Sequence, residues 1–184
     1  VHEVDLPGAD FGAASLWTLE YTEAFAFHRS NFLTRPNDYT PTFLHKISSA
    51  AFLTGEEFVT AQRIGQGITS EFLEVLTKVD VIVTPTTSYP AYPIGSISPQ
   101  SNMHSLTRPV SLTGLPALSV PCGFTSMNLP VGMQLIGRAW EESTLLRIGH
   151  IYEQATDWHK RRPPVCAGPL KATKPPVEYK SEFV

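Results

Sequence analysis

The sequence predicts an α/β fold, and three observations carry that prediction. Six apolar residues recur at steps of three and four along one predicted helix, at Ile64, Ile68, Phe72, Val75, Leu76 and Val79. This helix leads directly into Asp80–Pro85, an apolar run stopped by proline that is typical of a strand covered on both faces. Two further apolar runs, Ala117–Pro121 and Val131–Ile136, flank a turn rich in Gly, Asn and Pro and predict a hairpin. A helix followed at once by a buried strand is typical of α/β folds.

The remaining elements follow from the same periodicities. Val1–Pro7 alternates apolar and polar residues and predicts a short strand. The sequence predicts helices over residues 10–32 and from Glu141 to about Trp158, and a loop over residues 31–41. We therefore assign residues 1–165 to one folded portion and residues 166–184, which are rich in Pro and Lys, to an extended tail.

Composition narrows the class of function. The chain has 184 residues, with 14 Lys and Arg against 17 Asp and Glu, and its net charge of −3 provides no basic field for nucleic acid. Its longest apolar runs are far shorter than the ~20 residues of a transmembrane helix, so no membrane span is expected. The two cysteines have no zinc-ligand spacing, and no metal or cofactor is expected. A reduced, cytoplasmic setting is the expectation.

A long segment with a single charge precedes the hairpin. Residues 84–109 are crowded with Pro, Ser, Thr and Gly, and their one charged side chain is Arg108. Tyr89, Tyr92 and Ile94 give the segment enough apolar surface to pack inward. Because long loops in folded domains often have a function, we expect this segment to form a pocket wall.

No catalytic site can be assembled from sequence motifs. The chain has no HExxH zinc motif, no GxSxG nucleophile motif and no glycine-rich phosphate loop. Lys46, Ser48 and Ser49 lie close together, but no glycine-rich loop beside them supplies amides for an oxyanion, so we interpret them as surface residues. Cys122 follows a buried strand and is interpreted as a small apolar core residue.

Five ordered segments resemble the C-terminal part of the amidase signature family, and the resemblance covers nearly everything but the tail. The segments are Asp80-Val-Ile-Val-Thr-Pro-Thr86, residues 112–123 from Leu-Thr-Gly-Leu-Pro to Pro-Cys-Gly, residues 129–137 with Pro-Val-Gly-Met-Gln-Leu-Ile-Gly, Glu142–Arg147 and Tyr152–His159. The resemblance implies the C-terminal portion of a mixed β-sheet sandwiched by helices. It also implies that this portion is incomplete as an isolated chain.

The resemblance further implies a mechanism whose reactive groups are absent from this chain. Members of the family cleave amides with a Lys, a Ser in cis peptide linkage and a nucleophilic Ser, all in the N-terminal half of the domain. We therefore expect no catalytic residue here and inactivity of this chain alone. The implied partners are the N-terminal half of the same amidase domain and a small-molecule amide, and a homodimer is left open.

By the same resemblance, six side chains are candidate substrate contacts: His104, Thr107, Arg108, Ser111, Thr84 and Thr86. For His104 the alternative is an exposed loop histidine, and for Arg108 it is a structural or surface role. Thr84 and Thr86 lie at a strand end, where α/β enzymes place ligands, but turn capping explains them equally well. Ser111 stands where this family commonly has Asn.

Three functions remain open at this point. The leading hypothesis is hydrolysis of a neutral or apolar amide, anilide or carbamate. The first alternative is an ammonia-transferring subunit of a glutamine-dependent tRNA amidotransferase, and the second is a non-catalytic assembly protein. Such amidotransferase subunits tend to carry an acidic residue where this chain has His104 and an Arg near Gly65, so these two positions weigh against the first alternative.

Overall fold

A computed structural model describes residues 2–93 and 106–163. The helices are α1 (Gly12–Thr34), α2 (Pro41–Ser48), α3 (Gly55–Leu76), α4 (Arg108–Thr113) and α5 (Glu142–Ala155), and the strands are β1 (Ile82–Pro85), β2 (Ala117–Phe124) and β3 (Pro130–Ile136). Short 3-10 turns cover residues 7–11, 36–38, 49–52 and 158–160. Within the described ranges, no helix is both long enough and apolar enough to cross a bilayer. The Pro- and Lys-rich tail, residues 166–184, lies outside them.

The three strands form one antiparallel sheet in the order β1-β3-β2. Ile136 pairs with both Ile82 and Ala117, and Gln134 pairs with both Thr84 and Ser119, so these residues share one face of the sheet. The hairpin prediction is confirmed, with an irregularity at Cys122 where the register shifts by one residue. The resulting sheet has helices against both of its faces.

The core lies between α3, α4 and the Ile136 face of the sheet. Seven buried side chains form it: Ile68, Phe72, Leu76, Ile82, Val110, Leu115 and Ile136. Val75 and Val79 pack against this cluster, whereas Ile64 stays exposed. Five of the six residues of the predicted stripe therefore face the core, as the helical spacing requires. The α3 helix begins earlier than the stripe, at a capping box formed by Thr54 and Glu57.

The α5 helix packs on the opposite face of the sheet. Leu145 is buried, and a side chain at Gly149 would lie 2.7 Å from Leu118 and 3.3 Å from Val120. A Cβ at position 149 would therefore require the terminal methyl of Leu118 to move, so α5 packs closely on β2 at this point. The final helix predicted from the sequence is confirmed and ends at Ala155.

Arg138 ties the end of α3 to the segment between β3 and α5. Its Nε donates to the carbonyl of Leu76 at 2.9 Å, and its Nη2 donates to the carbonyl of Val79 at 2.8 Å. Its Nη1 also pairs with Glu141 at 3.3 Å. The guanidinium thus satisfies the carbonyl of Leu76, the last residue of α3, and that of Val79 in the segment leading to β1.

Two predictions of strand structure are wrong. Residues 2–6 form no strand, because they pair with no neighbouring strand; instead Leu6 packs on the core and the Gly8 amide donates to Glu71. The β1 strand is not covered on both faces, since α5 packs over β2 and leaves Val83 53% exposed. The predicted loop over residues 31–41 is also partly helical, as α1 extends to Thr34.

The α4 helix is an element that the sequence did not predict. It occupies residues 108–113, and two described residues separate it from the undescribed residues 94–105. Gly114 ends the helix with φ +69°, a left-handed conformation that glycine adopts without strain. This turn leads the chain through the buried Leu115 into β2.

Candidate functional site

A buried glutamine joins the end of β1 to the segment that enters α4. The Gln134 side chain is 5% exposed, and its Nε2 donates to the Thr84 hydroxyl at 3.1 Å and to the Leu106 carbonyl at 3.2 Å. Thr84 also donates to the Pro85 carbonyl at 3.1 Å. Gln134 therefore holds the segment before α4 against the sheet, and the Thr84 hydroxyl is engaged with Gln134 and with its own strand.

Thr86 forms a second polar link across the same face of the sheet. Its hydroxyl lies 2.6 Å from the hydroxyl of Ser119, and its backbone amide donates to the Gly132 carbonyl at 2.9 Å. A side chain at Gly132 would meet Thr86 Oγ1 at 2.8 Å, so the strands approach closely at this point. The two hydroxyls form a small polar surface at the open end of the sheet.

Arg108 is the first residue of α4, and its side chain packs against α1. Its guanidinium carbon is 4.6 Å from the centroid of the Trp17 ring, a cation–π contact. Partial burial raises the pKa of the neighbouring Tyr21, Glu20 raises it further, and the positive charge of Arg108 opposes both effects. Arg108 thus places a cation beside two aromatic rings.

Ser111 lies on the exposed side of α4, in a groove shared with Leu16, Glu20 and Glu23 of α1. Its backbone amide donates to the Thr107 carbonyl at 2.9 Å. The next residue, Leu112, packs over α3 so tightly that a Cβ at Gly65 would lie 3.2 Å from its Cδ1. No long side chain fits at position 65 unless Leu112 moves.

The structure does not gather the predicted residues into one pocket. Thr84 and Thr86 lie at the sheet, the Arg108 side chain packs against Trp17 of α1, and Ser111 lies in a separate groove. His104 lies outside the described residues. What connects the sheet to α4 is Gln134, which sequence reasoning missed although it is the one strongly polar residue within the apolar β3 run.

The chain's nucleophile candidates have no activating partner in the described ranges. Ser49 donates its hydroxyl proton to the Lys46 carbonyl at 2.6 Å, a bond to backbone and not to the lysine amine. Cys122 is half-buried and contacts the Val131 carbonyl at 3.5 Å. Residues 2–93 and 106–163 also contain no group of three His, Cys, Asp or Glu side chains placed to hold a metal ion.

Comparison with known sequences connects these observations to a family. A family model described as Amidase matches residues 2–146. The A subunit of glutamyl-tRNA(Gln) amidotransferase from Synechococcus sp. (strain JA-3-3Ab) is 44% identical over 132 residues, covering 67% of this chain and 26% of that protein. Its counterpart from Geobacillus stearothermophilus is 34% identical, covering 88% of this chain and 39% of that protein. The chain thus spans about a quarter to two fifths of these relatives.

Solved structures give the same result for the fold. A crystal structure of an amidase superposes with a TM-score of 0.78 at 25% identity, over 84% of this chain and 37% of that one. The corresponding amidotransferase protein of Thermotoga maritima superposes with a TM-score of 0.61 at 33% identity, over 78% of this chain and 32% of that one. These similarities confirm the predicted amidase signature fold, of which this chain covers a part. The chain belongs to the Amidase family.

Proposed function

We propose that this chain is the C-terminal portion of an amidase that hydrolyses the C–N bond of a small neutral or apolar amide, anilide or carbamate. The rest of the domain supplies a nucleophilic Ser, a Ser in cis linkage and a Lys, so this chain alone is inactive. The proton of the nucleophile passes through the second Ser to the Lys, and backbone amides hold the oxyanion. This chain supplies strands and part of the pocket wall.

The observation that carries this proposal is the open apolar surface at β1. Val83, Pro85, Cys122, Val131 and Met133 line a groove of about 240 Å³ on this side of the sheet. β1 pairs only with β3 among the described strands. Unpaired edges and exposed apolar sheet faces invite further pairing, and the remainder of the domain would cover them.

Assembly tests this proposal directly. We expect residues 1–184 co-expressed with the N-terminal half of an amidase domain to copurify with it as one complex. We expect Val83→Asp to prevent copurification, because it places a charge in the covered groove. Val59→Asp is the matched control, since Val59 is 44% exposed on α3, which packs on the other face of the sheet. A complex that Val83→Asp leaves intact would contradict the proposed arrangement.

Amide hydrolysis by the assembled pair tests the activity itself. We expect release of ammonia or amine from neutral amides by the pair, and none from either half alone. A soluble, assembled pair that hydrolyses no amide would refute the assignment. No cofactor or metal is part of the proposed mechanism.

The amidotransferase alternative has its own support in the amidotransferase relatives at 34% and 44% identity. Against it stands His104, at a position where such subunits tend to carry an acidic residue that helps clamp a zwitterionic amino acid. Substrate preference distinguishes the amidase from the amidotransferase. Hydrolysis of glutamine in preference to neutral amides, with ammonia passed to a partner protein, would favour the amidotransferase.

A further inference from the structure

A cleft between α1 and α2 combines aromatic rings with positive charge. We call it the α1–α2 cleft, and it is lined by Trp17, Tyr21, Pro41, Thr42, His45, Lys46 and Ser49. Its volume of about 570 Å³ lies within the ~300–1,000 Å³ of small-molecule sites. The cleft is open to solvent, since Trp17 is 39% exposed and His45 is exposed as well.

One wall of the cleft is aromatic. The rings of Trp17 and Tyr21 are stacked, with centroids 6.0 Å apart and planes only 15° from parallel, and both rings line the cleft. The rings lie one helical turn apart on α1, which fixes their spacing. A ligand ring in the cleft can pack against this aromatic wall edge-to-face or in an offset stack, with a gain typical of aromatic pairs.

The other wall carries the charge. Lys46 and His45 are neighbours on α2, and none of the seven lining residues is acidic. Arg108 lies over the Trp17 ring but does not itself line the cleft. Glu20, the acidic residue next to Tyr21, lines the groove that contains Ser111, between α1 and α4. A ligand with one carboxylate beside its ring can therefore pair with Lys46, and no Asp or Glu in the lining competes for that lysine.

From this combination we infer that the α1–α2 cleft binds a small aromatic carboxylate, with its ring on Trp17 and Tyr21 and its carboxylate at Lys46. One lysine and one histidine match a single carboxylate rather than a polyphosphate, which needs several Arg or backbone amides. The inference concerns binding and does not depend on the proposed hydrolysis.

Calorimetry on the assembled enzyme tests the inference with two probes that share a ring. The probes are 2-naphthoate and the uncharged 2-naphthylmethanol. We expect 2-naphthoate to bind about fivefold more tightly than 2-naphthylmethanol, a gain typical of a solvent-exposed ion pair. We expect Lys46→Met to remove that advantage and to leave 2-naphthylmethanol binding unchanged. Trp17→Leu is expected to weaken both probes about tenfold.

One matched control and one fallback keep the result decisive. Lys78→Met removes the same charge from a lysine that pairs with Glu74 on α3, outside the cleft, and is expected to leave both affinities unchanged. If Trp17→Leu fails to fold, the surface variant Lys46→Met decides the question alone. Absence of 2-naphthoate binding, or equal losses in Lys46→Met and Lys78→Met, would overturn the inference. Binding without amide hydrolysis would support it while refuting the proposed function.

Discussion

Gln134 is the most informative position to perturb, because its side chain connects β1, β3 and the segment before α4. Gln134→Met keeps the length of the side chain and removes both hydrogen bonds of its amide, at 3.1 Å to Thr84 and 3.2 Å to Leu106. A neutral hydrogen bond contributes about 0.5–1.5 kcal/mol, so the loss of two costs about 1–3 kcal/mol. The Leu106 carbonyl also loses this donor.

Hydrogen exchange measures this loss locally, without requiring that the whole assembly unfold in one step. The reporter is the Thr86 amide, which donates to the Gly132 carbonyl between β1 and β3. Because 1.4 kcal/mol corresponds to a factor of ten, we expect its exchange to accelerate about 5- to 150-fold in Gln134→Met. Thr84→Val removes one of the two bonds and is expected to accelerate it about 2- to 12-fold.

A double-mutant cycle isolates the shared bond. If Gln134 and Thr84 interact directly, the double variant exchanges more slowly than the product of the two single effects predicts. Gln154→Met, on the exposed side of α5, is the matched control and should leave the Thr86 amide unchanged. A Thr86 amide exchange rate in Gln134→Met within twofold of the wild-type rate would contradict the proposed link. The Gln134 side-chain amide would then not stabilise the pairing of β1 with β3.

Three further predictions concern stability and are measured by urea unfolding of the assembled protein. Leu76→Ala, at a core position 1% exposed, is expected to cost about 2–5 kcal/mol, whereas Leu146→Ala, 61% exposed, should cost under ~0.5 kcal/mol. Arg138→Met is expected to cost about 1–3 kcal/mol, and the exposed Arg147→Met very little; equal effects would contradict the proposed tie to α3. Backbone and hydroxyl hydrogen bonds at the α3 N-cap hold the pKa of Glu57 below its ordinary value of 4.5. The stability advantage of wild type over Glu57→Gln should therefore be complete above pH 4.5 and disappear as the pH falls through that lowered pKa, whereas a pH-independent difference would contradict it.

Elements whose residues carry a local period could be predicted from the sequence. The α3 stripe, the β2–β3 hairpin and the start of α5 belong to this group, because side-chain spacing follows directly from helix and strand geometry. The order of the five segments likewise indicated the family, and the family model over residues 2–146 confirms it. The short α4 escaped prediction because six residues with one proline carry no readable period.

Only the packed tertiary structure showed which faces of the sheet are covered and which side chains contact each other. The apolar run at β1 predicted burial on both faces, yet within this chain Val83 is 53% exposed because α5 packs over β2, and local composition does not say which element covers a face. Arg108 and Thr84 were predicted to belong to one pocket wall, but they lie on different elements. The Arg108 guanidinium packs on the Trp17 ring, which is 91 positions away in the sequence. Such contacts follow from packing, and no local pattern encodes them.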